Sequence, residues 1–111
     1  MIDEEYLKRL QQAESFYLGK AREELHDSPS RILEKRAKVA QKLGEHLQST
    51  ESGDGKCIAN IGLKTDALLS ELNQLGVDIQ LRALRGYLLD IAKFTHLEII
   101  LGDYRARLRK V

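Results

Sequence analysis

The sequence predicts an all-α protein, a four-helix antiparallel up-down-up-down bundle with a long apolar C-terminal helix at its centre. Three observations carry that expectation. Good helix formers dominate a chain of 111 residues with one proline and 32% charged side chains. Apolar residues recur every three or four positions in four separate segments. β-branched residues are sparse and do not alternate along any run, which argues against a sheet. One domain spanning residues 1–111 is expected, with helices over about 3–26, 29–48, 56–75 and 78–108 and a flexible loop over 49–55.

The first helix opens with Asp3, Glu4 and Glu5, which suit the positive end of the helix dipole. Tyr6, Leu10, Ala13, Tyr17 and Ala21 form its apolar stripe, and Phe16 lies off that face. Ser28 followed by Pro29 starts the second helix, since proline at the first helical position forfeits no needed N–H. Leu33, Ala37, Ala40, Leu43 and Leu47 form its stripe. Arg31, Lys35, Arg36, Lys38 and Lys42 make its other face basic. The run from Ser49 to Lys56 is rich in Ser, Thr, Gly and Asp and has nothing apolar to bury, so it reads as a loop. Ile58, Ile61, Thr65, Leu68, Leu72 and Leu75 give the third helix a heptad-like seam, interrupted by Gly62.

Gly76 suits the left-handed residue that closes a helix, and Asp78 is a good N-cap for the next. In the fourth helix Leu81, Leu84, Leu88, Ile91, Ala92, Thr95 and Ile99 share one face, with Arg82, Arg85, Lys93 and His96 roughly opposite. Leu89 and Ile100 fall on the charged side. A second stripe, Leu97, Leu101, Tyr104 and Leu108, is rotated away from the first. A helix with two apolar stripes lies deep in a bundle or meets a second partner.

The formal net charge is +1, so no global field attracts nucleic acid or an anionic membrane. The one cysteine, Cys57, fits a reducing compartment. The N-terminus lacks the apolar core of a signal peptide, and no apolar run approaches the ~20 residues that span a bilayer. A soluble, cytoplasmic protein without membrane association is expected.

Chemistry is hard to find. Glu23-x-x-His26 has di-iron spacing but occurs once, where such a site needs two copies and further carboxylates. Gly53-Asp54-Gly55-Lys56 resembles the tail of a phosphate-binding loop, but Cys57 stands where Ser or Thr belongs. Cys57 has no evident base beside it, and the carboxylates Asp66, Glu71, Asp90, Glu98 and Asp103 are scattered. No catalytic residue, metal site or cofactor is expected.

Two functions follow. In the first, the chain is a helical interaction or regulatory module that binds a protein partner and self-associates as a dimer. Its contact residues would be Leu89, Ile100, Leu97, Leu101, Tyr104 and Leu108. In the alternative it binds nucleic acid through the basic second helix (Arg31, Lys35, Lys38, Lys42) and a basic tail (Arg105, Arg107, Arg109, Lys110).

Overall fold

The computed structural model describes residues 3–23 and 28–107. Helix α1 (Glu4–Glu23) and helix α2 (Ser28–Glu45) come first, followed by strands β1 (Leu47–Gly53) and β2 (Lys56–Ile61). Helices α3 (Thr65–Gln74) and α4 (Leu81–Thr95) follow, and strands β3 (Glu98–Ile100) and β4 (Arg105–Ala106) close the described chain. The strands form one mixed sheet in the order β1-β2-β3-β4. The protein is therefore a mixed α and β domain, and the expected all-α four-helix bundle is wrong.

The helical half follows its patterning. Helix α1 buries Tyr6, Leu10, Ala13, Tyr17 and Ala21, the stripe set by helical periodicity. Asp3 Oδ1 accepts the Glu5 N–H at 2.9 Å and so takes up one free donor of the first turn. Helix α2 buries Ala37, Ala40 and Leu43 of its expected stripe and Val39 beside them. Leu33 is half-buried, and the helix stops at Glu45, so Leu47 is buried from strand β1 instead. The small alanines of α2, with Ala13 on α1, leave room for the two helices to approach closely.

The expected loop at 49–55 is a β-hairpin. β1 and β2 pair antiparallel, from Leu47 opposite Ile61 to Gly53 opposite Lys56. Asp54 (φ 51°) and Gly55 (φ 75°) make the two-residue turn, both in the left-handed region that a tight hairpin requires. β1 lies at the sheet edge, where a polar strand faces water on one side and needs no apolar alternation.

The expected third helix over 56–75 is two elements. Its first half is β2, in which Ala59 and Ile61 are buried while Ile58 and Asn60 are half-buried, a period of two. Gly62 divides the halves. Its N–H donates to the His46 carbonyl at 2.8 Å, and a Cβ there would come within 2.8 Å of the Gln48 side chain.

The expected last helix over 78–108 stops at Thr95. His96 takes the left-handed conformation (φ 55°), and the Thr95 hydroxyl donates back to the Ile91 carbonyl at 2.7 Å. Burial then switches from helical period to alternation, with Leu97, Ile99 and Leu101 buried and Glu98 and Ile100 half-buried. Asp78 is not the N-cap of α4. Gln80 holds that position, without a side-chain cap. Gly76 does close α3 in the left-handed region (φ 85°), and the Val77 N–H returns to the Leu72 carbonyl at 3.0 Å.

β2 and β3 run parallel, from Ile58 opposite Glu98 to Asn60 opposite Ile100. Parallel neighbours need a long crossover, and α3 and α4 are that crossover. One polar device fastens α4 to the α1–α2 pair. The Arg36 guanidinium of α2 donates to Asp90 Oδ2 of α4 at 2.9 Å. It lies 5.1 Å from the Tyr17 ring centroid of α1 and 5.6 Å from that of Tyr87 on α4. Burial raises the Tyr17 hydroxyl pKa, while the nearby Arg36 charge opposes the shift.

Replacing Arg36 by Ala removes a charge-assisted hydrogen bond and two ring contacts. The expected loss, discounted because Asp90 is half-exposed, is about 1–3 kcal/mol in denaturant melts. A loss within experimental error would show that the clamp contributes nothing to stability.

Candidate nucleic-acid interface

Helices α3 and α4 follow one another through a six-residue connection at 75–80 that contains a left-handed glycine. Leu68 and Leu72 of α3, Ile79 of the turn, and Leu84 and Leu88 of α4 are buried in one core. That burial leaves each helix one solvent face. On α4 the exposed residues include Arg82, Arg85, Leu89 and Lys93. At 100° per residue these four keep to one line along the helix.

The line is cationic and uncompensated. Among the described residues, none of Arg82, Arg85 and Lys93 has an ion-pair partner. Asp90, the acid of α4, lies off the line and is held by Arg36.

The turn between β3 and β4 flanks this helix. Tyr104 sits there, and the Arg85 guanidinium lies 5.6 Å from its ring centroid. The turn is also locked to the start of α3. Thr65 donates its N–H at 2.8 Å and its hydroxyl at 2.7 Å to Asp103 Oδ1. The Gly102 N–H donates to the Leu63 carbonyl at 3.0 Å. The Thr65 backbone and hydroxyl bonds hold the Asp103 carboxyl below the usual range. The sequence does not point to Thr65 and Asp103 as a pair, because they are far apart in the chain and meet only when β3 pairs with β2.

No family model, curated protein or solved structure matches this chain. The site therefore stands on its geometry alone.

The residues singled out from sequence scatter. Leu97 (0% exposed) and Leu101 (3%) are core residues of the sheet region, so they offer no surface to a partner or a second copy. Ile100 is half-buried in β3, off the helix that was expected to carry it beside Leu89. Leu89 is exposed at 42%, within the cationic line. Tyr104 is half-buried. Leu108, Arg109 and Lys110 lie outside the described residues, as do Glu24 and His26.

The basic residues divide. Arg105 and Arg107 both approach Glu98 Oε1, at 3.1 and 3.5 Å. Lys42 is engaged by Glu45 at 2.8 Å and Glu71 at 3.7 Å. Arg31, Lys35 and Lys38 instead line a groove of about 550 Å3 between α2 and residues 76–78. Among the described residues, no three His, Cys, Asp or Glu side chains gather as a metal-ligand set, and no helix is long and apolar enough to cross a membrane.

Asp103 gives a pH test. Its folded pKa is lowered, so its stabilisation is complete above the unfolded carboxylate value of about 3.9 and is lost as pH falls through the folded value. Asp103→Asn should lower Tm at pH 7, and the gap to the unaltered protein should close in strong acid. A gap that persists unchanged in acid would mean that the Asp103 charge is not what holds the turn.

Proposed function

We propose that the protein binds nucleic acid, with α4 as the helix that enters the major groove of a duplex. The observation that carries this reading is the uncompensated line Arg82, Arg85, Lys93 on the solvent face of α4, the second of two consecutive helices. A major groove about 12 Å wide admits one α-helix. In helix–turn–helix docking the second helix lies in that groove, with its N-terminal residues at the base edges. Arg82 and Arg85 occupy that end of α4. Arginine suits the role because its planar fork pairs bidentately with guanine. Lys93, nearer the other end, suits a phosphate contact. The β3–β4 turn, fixed through Asp103 and Thr65, would steady Tyr104 and Arg85 at the edge of the helix. With a net charge of only +1, attraction comes from this local patch, and affinity should be steeply salt-dependent.

A second reading, the protein-interaction module, draws support from an exposed aromatic pair. Phe16 of α1 and Phe94 of α4 are 45% and 38% exposed, with ring centroids 4.9 Å apart. It loses the support of Leu97 and Leu101, which are spent inside the chain.

Fluorescence anisotropy with a labelled duplex of about 25 base pairs, titrated at about 50 and 200 mM salt, tests the first reading. Binding is expected at low salt and should fall steeply at the higher salt. Arg82→Ala and Arg85→Ala should each weaken it by about 1–3 kcal/mol. No duplex binding at low salt, or full affinity in both variants, would refute the reading.

A further inference from the structure

We propose that the groove between α2 and residues 76–78 seats the phosphodiester backbone of one strand of a duplex, beside the base-reading helix. This rests on the reading of α4 above, and it adds a second contact surface and a substrate class.

Helix α2 sorts its cations by use. Arg36 is spent on Asp90, and Lys42 on Glu45 and Glu71. Arg31, Lys35 and Lys38 have no ion pair among the described residues, and all three line the groove. They fall at i, i+4 and i+7, one face of the helix. The opposite wall is the connection at 76–78, which leads into the first turn of α4. The groove wall at Asp78 lies four residues before Arg82 in the chain, close enough for one strand to reach both. Phosphate contacts beside a recognition helix fix register, while the helix itself reads bases.

The lining also says what the occupant is. Glu34 and Asp78 stand among the three cations. Five charges that nearly cancel are a poor trap for a free small anion. A polymer already held by α4 can set its phosphates against the cations and clear of the carboxylates. No aromatic ring lines the groove, so nothing there stacks unpaired bases, as single-strand binders do. The occupant is the backbone of a duplex.

The test compares the unaltered protein with Lys35→Gln/Lys38→Gln and Lys35→Glu/Lys38→Glu, in duplex and single-strand titrations across a salt series. Circular dichroism checks that each variant is folded. For the neutral pair, the plot of log affinity against log salt should become shallower by about two, since each phosphate contact contributes close to one. Affinity should fall by a similar factor on duplexes of different sequence, and further for the charge-reversed pair. An unchanged slope in a variant whose parent binds duplex would overturn this inference and leave the α4 reading intact. Single strands bound as well as duplex, and weakened equally, would overturn the duplex assignment. A parent protein that binds no duplex at low salt would overturn both readings together.

Discussion

Three residue pairs between β2 and β3, from Ile58 opposite Glu98 to Asn60 opposite Ile100, decide where the rest of the chain goes. Parallel strands cannot be joined by a tight turn, so everything from Gly62 to Leu97 must form a crossover. Two helices, joined by the connection at 75–80, fill it. The same pairing brings the β3–β4 turn to the start of α3, where Asp103 meets Thr65. A pair of helices braced by the β3–β4 turn is thus a consequence of strand pairing.

Electrostatics within this frame separates structural charges from available ones. Arg36 sits between Tyr17 and Tyr87 and pairs with Asp90, so its charge is used to hold three helices together. Glu98, with a side chain only 13% exposed, takes Arg105 and Arg107. Among the described cations without an ion-pair partner are those of the α4 solvent line and of the α2 groove. A net charge of +1 conceals this distribution. Location and pairing therefore say more about function than the total.

Part of this was legible in the sequence. The α1 stripe of Tyr6, Leu10, Ala13, Tyr17 and Ala21 is buried as periodicity requires, and so are Leu84, Leu88, Ile91, Ala92 and Thr95 of α4. Each of these helices presents one apolar face to a core, which is the case that periodicity describes. The strands were hidden for identifiable reasons. Leu97 and Leu101 are four apart, and residues four apart share a face in a helix and in a strand alike. The alternation Leu97, Ile99, Leu101 is too short to stand out from the helical stripe that precedes it. β1 is polar because it is an edge strand, so its Asp54-Gly55 turn, a strong hairpin signal, lacks the flanking apolar alternation that marks a hairpin in sequence. Of the candidate site, the charges Arg82, Arg85 and Lys93 were visible as a polar helix face. Their isolation from carboxylates shows only once Asp90 is paired with Arg36 in the folded chain. The Asp103–Thr65 lock carries no local signal at all.

The most direct test of the central claim is a map of amide chemical-shift changes in the isotope-labelled protein as duplex is added at low salt. The account predicts that the largest changes fall on α4, on the turn before it and on the groove-facing side of α2, with α1 and the β1–β2 hairpin little affected. Changes centred on Phe16 and Phe94, or none anywhere, would contradict it.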